Sequence, residues 1–265
     1  MTAPTPVKPF TRAIVRIPGG TFACGLTSSG ALGTPDIAKA LEQHAEYCRA
    51  LRDCGLTVLV LPADEHHPDS TFVEDTAVIA DRVAIITRPG ARSRVGEVPA
   101  VAAALRGSRP KLDRIEAPGT VDGGDICEVD GHFLIGLSDR TNEEGARQLQ
   151  NSLVRQSYSA CTVEIRGQRT LLHLKSGISY LGQQRFVVAP GFPRTSATAA
   201  YELVEVAQEE AYAANCVRVN DTVLMASGFP RIAATVAGLG YRVRTLDMSE
   251  FRKMDGGLSC LSLRF

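Results

Sequence analysis

Short apolar runs alternate with longer amphipathic stretches along the whole chain, and no low-complexity linker separates them. RAIVRI (12–17) predicts a strand. Thr34-Pro35 then offers a cap followed by proline at the first helical position, and IAKALEQHAEYCRALRDC predicts a helix that stops at Gly55. LTVLVL (56–61) predicts a short buried strand. TAVIA (76–80) and VAIIT (83–87) predict a hairpin-like pair around Asp81-Arg82, followed by a helix over VPAVAAAL (98–105) and a strand near RIEA.

The rhythm then repeats. DICEV (125–129) and HFLIGL (132–137) predict paired strands around Asp130-Gly131, with a helix over 142–155 and a strand at CTVEI (161–165). RFVVAP, a helix near 198–209, VRVN, TVLMA, the helix IAATVAGL and YRVRTL continue it. The recurring unit is two strands, a helix and a strand. It repeats as architecture without a strict sequence period. Two adjacent strands per unit argue against simple βαβ alternation and are compatible with a closed, propeller-like α/β fold. No GxGxxG or Walker sequence occurs, so nucleotide binding has no support.

Composition narrows the function. At 265 residues the chain is one large domain or two small ones, and we treat residues 1–265 as a single catalytic domain. A chain of this size buries roughly three-quarters of its unfolded surface, so it needs no covalent staples. Lys+Arg and Asp+Glu both count 29, which argues against a nucleic acid or an anionic membrane as the main partner. The N-terminal stretch has no apolar run suited to a signal peptide or a spanning helix, so a cytoplasmic location is expected. Seven cysteines without a CxxC pair suggest neither a zinc site nor a redox motif, and fit a reducing compartment with mostly free thiols.

Asp69, Glu74 and Asp75 crowd into PDSTFVEDTAVIA, and no Lys or Arg lies between His67 and Asp81. Carboxylates at the mouth of a buried strand cost several kcal/mol to desolvate unless a cation pairs with them. That cation is either a residue from elsewhere in the chain or a ligand. A planar guanidinium, with five N–H groups, suits adjacent carboxylates.

Of the five histidines, His44, His66, His67 and His132 fit structural or solvent-facing roles. His173, between leucines in LLHLKSGISYLG, is expected to be buried and to need a polar partner. Asp122 in GTVDGGDICEV is a candidate, because the two following glycines allow a tight turn and close backbone approach; an Asx turn is the plainer alternative. Cys260, in a predicted LSCLSL strand after the turn Asp255-Gly256-Gly257, reads by itself as a core residue. Beside a His–Asp pair its thiolate would become a nucleophile.

DSTFVED, ITRPGARSR, DGGD, GLSDRTNEEGA, LHLKSG, YAANC and MDGGLSC resemble, in order, the motifs of the dimethylarginine dimethylaminohydrolases. The similarity runs from GLTSS at 25–29 to the C-terminus. That family belongs to the guanidino-group-modifying enzymes, whose pentein fold is an α/β propeller of five ββαβ-type units. The resemblance therefore implies hydrolysis of asymmetric dimethylarginine and monomethylarginine to citrulline, through a covalent thiouronium on cysteine and without a cofactor.

The resemblance also implies roles residue by residue. Cys260 would be the nucleophile, His173 the general acid and base, and Asp122 its orienter, where many relatives carry Glu. Glu74 and Asp75 would hold the guanidinium with Phe72 beside it. Asp69 and the carbonyl of Leu26 would take the α-amino group, and Arg94 and Arg140 the α-carboxylate. The backbone at Met254 and Asp255 would face the reacting nitrogens. No metal is required, and zinc bound at Cys260 and His173 would inhibit. The glycines and serines of GLTSSG permit a moving loop, and a homodimer is expected by analogy alone. Arginine deiminase, an amidinotransferase and a non-catalytic arginine-binding module are the alternatives.

Overall fold

The computed structural model describes residues 9–109, 112–168 and 171–265. Fifteen strands form five three-stranded sheets of one design among the described residues. In each sheet the middle strand pairs antiparallel with one neighbour and parallel with the other. The parallel pair requires a crossover, and a helix supplies it in four of the five units.

The first unit closes the chain on itself. β1 (Arg12–Arg16) lies between β2 (Thr57–Leu61) and the C-terminal β15 (Leu263–Arg264), with α1 (Ile37–Asp53) crossing over. The helix begins later than Thr34-Pro35 suggests, because the Asp36 carboxylate accepts from the N–H groups of Ala38 at 2.8 Å and Lys39 at 3.2 Å. Gly55, at φ +92°, ends the turn as expected. β2 is only partly covered, unlike the fully buried strand its apolar run predicts.

Three further units match the predicted order closely. They comprise β3 (Ala77–Ala80), β4 (Val83–Ile86), α2 (Val98–Arg106) and β5 (Leu112–Arg114); β6 (Ile126–Val129), β7 (His132–Leu137), α3 (Glu143–Val154) and β8 (Ser159–Glu164); and β12 (Val217–Val219), β13 (Thr222–Ala226), α5 (Pro230–Gly238) and β14 (Arg242–Leu246). The remaining unit holds β9 (Ile178–Gly182), β10 (Arg185–Val188) and β11 (Glu202–Glu205), and it departs from expectation. No helix spans 198–209. Parallel pairing of β11 with β10 converts Glu202–Glu205 to strand, and a 3-10 turn, Gln208–Ala214, follows. Short helices α4 (Leu174–Gly177) and α6 (Ser249–Arg252) lie outside the repeat. LSCLSL is likewise not one strand, since Ser259–Leu261 is a 3-10 turn ahead of β15.

Five apolar clusters each join two neighbouring units. Examples are Phe133, Ile135 and Leu149 against Ile85, and Phe186 and Ile178 against Leu134. The others join β9–β11 to β12–β14, β12–β14 to the first unit, and the first unit to β3–β5. The ring is therefore closed, as the five-unit propeller expectation requires. Its axis is a cavity of about 220 Å³ lined by residues of β3, β6, β9, β12 and β15. No helix among the described residues is long and apolar enough to cross a membrane.

Candidate active site

The ring brings together residues far apart in sequence. Asp75 precedes β3, Asp122 precedes β6, His173 precedes β9, Asn215 precedes β12 and Cys260 precedes β15. Each stands two to five residues before an inner strand, so fivefold repetition delivers them to one end of the axis. There a small cavity of about 40 Å³ is lined by Cys260, His173, Asp122, Asp75, Asp69, Phe72, Arg94, Arg140, Leu26, Met254 and Asp255. Leu172, at 39 % exposure, also lines it and carries no motif that would have marked it.

His173 is buried, and its Nε2–H donates to Asp122 Oδ2 at 3.2 Å, so the shorter acid reaches the ring. Asp122 Oδ1 accepts from Gly90 N–H at 2.8 Å, which fixes the carboxylate plane. The two glycines after Asp122 are needed for close approach: a Cβ on Gly123 would lie 2.0 Å from Glu74 O, and one on Gly124 would lie 2.8 Å from the His173 ring. Asp125 accepts from Leu174 N–H at 3.0 Å and from the hydroxyls of Ser138 and Thr141. It thereby holds the backbone that carries His173. Burial pulls the His173 pKa down, but Asp75, then Asp125 and Asp122, outweigh it and raise it to about 9. Below that pH the ring is an imidazolium.

Cys260 Sγ accepts from Gly257 N–H at 3.4 Å. Burial, then the carboxylates of Glu74 and Asp75, push its thiol up to about 12. In the free protein the sulfur is therefore protonated at neutral pH, and ionisation needs an added positive charge nearby. Asp75 accepts from Arg94 Nη1 at 2.5 Å and from Gly124 N–H at 2.8 Å. Burial opposes its ionisation, but His173 and Arg94 lower its pKa to about 2.

The two arginines differ. Arg94 is buried, and Nε and Nη2 are occupied by Glu97, Phe72 O and Asp69 O. With Nη1 on Asp75, one of its five N–H groups is left for a ligand. Arg140 is half-buried, and its guanidinium makes no hydrogen bond to another described residue. Arg140 is the more available clamp. Glu97, which the sequence did not mark, is raised to about 7 by burial against the pull of Arg94.

The Glu74 carboxylate faces the axial cavity, where Lys175 Nζ donates to Oε1 at 2.5 Å and Arg264 Nη2 at 3.4 Å. The acid triplet thus has internal cations after all: Arg94 for Asp75, and Lys175 with Arg264 for Glu74. Among the described residues, Asp75, Asp122 and His173 form one group of three with metal-ligand spacing.

A loop covers the cavity. Leu26 N–H donates to Asp69 Oδ1 at 3.0 Å, and Thr27 Oγ1 donates to Lys253 O at 2.8 Å. Ser28 N–H and Oγ–H donate to Asp255 Oδ2 at 2.5 and 2.9 Å, and Ser29 Oγ–H donates to Oδ1. The Asp255 side chain is thus spent on the loop, whatever its backbone does. Gly25 is required here, because a Cβ would sit 2.4 Å from Asp69 Oδ1.

A family model described as arginine deiminase matches residues 108–223. The dimethylarginine dimethylaminohydrolase of Pseudomonas aeruginosa is 48% identical, with 97% of this chain and all of that protein aligned. Its counterpart from Streptomyces coelicolor is 32% identical over 97% of each chain. A solved structure of the Pseudomonas aeruginosa enzyme, a cysteine-to-serine variant complexed with citrulline, superposes with a TM-score of 0.94 at 47% identity, covering 97% of this chain and 100% of that one. With the ring closed and the Cys, His and Asp gathered at one end of its axis, the chain belongs to the dimethylarginine dimethylaminohydrolase family and has its five-unit pentein fold.

Proposed function

We propose that this protein hydrolyses asymmetric dimethylarginine, and monomethylarginine, to citrulline and dimethylamine or methylamine. The observation that carries this is the small cavity in which Cys260, a His173 held by Asp122, two acids and two arginines converge. An amino acid with a cationic tail needs acids at the tail and amine and an arginine at the carboxylate, and the wall supplies all of these. Asp75 takes the guanidinium, Asp69 the α-amino group and Arg140 the α-carboxylate, with Arg94 fixing Asp75.

The electrostatics suit a mechanism in which substrate activates the enzyme. Before binding, His173 is charged and Cys260 is not. The guanidinium offsets the carboxylates that hold the thiol proton on and lowers the cost of forming the thiolate. As the guanidinium seats, the thiol loses its proton to solvent and the sulfur attacks the guanidinium carbon. His173 protonates the departing amine and becomes neutral, leaving a thiouronium on Cys260. Neutral His173 then takes a proton from water, which attacks the same carbon; the C–S bond breaks, and the protonated urea passes its proton to the released thiolate, giving citrulline and the starting thiol. No step uses a cofactor.

The test is mass spectrometry of products from asymmetric dimethylarginine and from arginine, offered separately. Citrulline with dimethylamine from the first supports the proposal. Citrulline from arginine alone makes the protein a deiminase with the same chemistry, and none from either sinks the hydrolase reading.

Two further results are expected. Arg140→Ala raises KM by about 10- to 100-fold with kcat nearly unchanged, since a lost charged hydrogen bond is worth roughly 1.5–3 kcal/mol; a loss confined to kcat would remove Arg140 from the clamp. Asp255→Ala frees the loop over 25–30, so citrulline enters and leaves faster in stopped-flow binding; unchanged rates would mean the loop does not gate the cavity. All seven cysteines are free, which fits the reducing cytoplasm we propose as its location. The homodimer is likewise a proposal.

A further inference from the structure

Glu97 is a buried carboxylate that the reaction itself does not use. It directly precedes α2 at 1 % exposure, yet its side chain makes no capping hydrogen bond to the helix. It turns instead to Arg94, whose Nε donates to Oε1 at 3.0 Å and whose Nη2 donates to Oε2 at 2.8 Å. This is the paired, two-bond grip in which a guanidinium and a carboxylate bind most strongly. Asp75 meets the same arginine through a single bond, from Nη1 to Oδ2 at 2.5 Å. Among the described residues neither acid has an ion pair with any other cation.

The charges therefore do not cancel. One arginine serves two buried carboxylates, which leaves a surplus of one negative charge. His173 also faces Asp75, but Asp122 and Asp125 match its charge. A buried, unmatched charge is costly until a cation arrives. Arg94 and Asp75 line the substrate cavity, and Glu97 stands behind them. Were Glu97 uncharged, Arg94 would match Asp75 one to one, and the acid that faces the guanidinium would be neutralised before substrate came.

We propose that Glu97 is a positioning residue for charge: by holding Arg94 from behind it keeps Asp75 a net acceptor of cations, so the site grips the guanidinium of the substrate and releases the uncharged side chain of citrulline. The proposal rests on the hydrolase reading for the identity of these two ligands. Contacts to the amino-acid end cannot make this distinction, since both ligands carry the same α-amino and α-carboxylate groups.

The experiment measures the Kd of asymmetric dimethylarginine and of citrulline by calorimetry, with displacement for the weaker ligand. The Cys260→Ser background prevents turnover. The measurement runs at about pH 8, above the value of about 7 to which burial raises Glu97, so that the carboxylate is charged. Glu97→Gln keeps the shape without the charge. A group with a pKa of about 7 is already neutral in part of the population at neutral pH, so the fold tolerates an uncharged side chain of this shape. The ratio of the citrulline Kd to the dimethylarginine Kd should fall about tenfold in Glu97→Gln, the scale on which one charge acts across a few side chains of a protein interior. A fall of less than about fivefold, or equal losses for both ligands, overturns the proposal and leaves Glu97 a structural prop for Arg94. Glu97→Asp keeps the charge and shortens the reach. Its ratio should stay within about threefold of the parent, and a larger fall would show that packing sets the preference and would overturn the proposal too. Neither variant needs turnover to be judged. Wild-type protein that makes no citrulline sinks the hydrolase reading while the Kd ratios still decide this proposal; a Cys260→Ser protein that binds neither ligand sinks both.

Discussion

Cys260→Ser abolishes citrulline formation, by about four to six orders of magnitude if this site behaves as other nucleophile–base units do. An alcohol is a far weaker acid than a thiol, and nothing at this site compensates. His173 is already an imidazolium at neutral pH and has no lone pair to take the proton. The substrate's charge offsets Glu74 and Asp75 well enough to ionise a thiol that burial has raised to about 12, but an alcohol starts several units higher. Binding survives, because the contacts assigned to substrate come from Asp69, Asp75 and Arg140. Steady-state assay of citrulline with calorimetric binding checks both halves. Residual turnover above about 1% would show that the sulfur is not the nucleophile, since orienting and electrostatic groups alone leave far less than that.

Much of this was legible in the chain. The ββαβ rhythm came from the spacing of apolar runs, and four of the five units carry helices long enough to declare themselves between their strands. The unit around β9 did not. Ile178–Gly182 is short and sits directly after α4, and ELVE becomes a strand because β10 pairs with it over four residues, a contact that local propensity does not encode. Closure of the ring was equally hidden, since β15 pairs with β1 across nearly the whole sequence.

The site divides in the same way. Residue types and spacing pointed to an acid cluster, a buried histidine and a cysteine, and the motifs tied them to one chemistry. Direction was the missing quantity. Glu74 and Asp75 are neighbours in one 3-10 turn, yet one carboxylate faces the axial cavity and the other the substrate cavity. A backbone turn sends successive side chains to different faces, and no property of the pair Glu-Asp says which goes where. Lys175, Arg264, Glu97 and Asn215 were missed for a related reason: each contacts another site residue, and its place in or beside a motif does not say which one.

Asp122→Asn is the sharpest test of the electrostatics, because it changes charge while keeping the shape that meets Gly90 N–H. Turnover should fall by roughly 10²–10⁴, the scale at which removing an orienting carboxylate acts in comparable sites. The pH profile adds a sign. The folded pKa of His173, about 9, is above the ordinary value of 6.5, so the carboxylates around it favour the charged ring. Their contribution to stability is complete below about pH 6.5 and is lost as pH rises through about 9. The acid that protonates the leaving amine is lost over the same range, so kcat should decline on the alkaline side near that pH. Removing Asp122 takes away one of three carboxylates that hold the proton on. The alkaline limb of the Asn variant should therefore move to lower pH, and its thermal stability should begin to decline at lower pH than that of the wild-type. A profile that drops in height without moving would mean that Asp122 only orients the ring and that Asp75 and Asp125 alone set its charge.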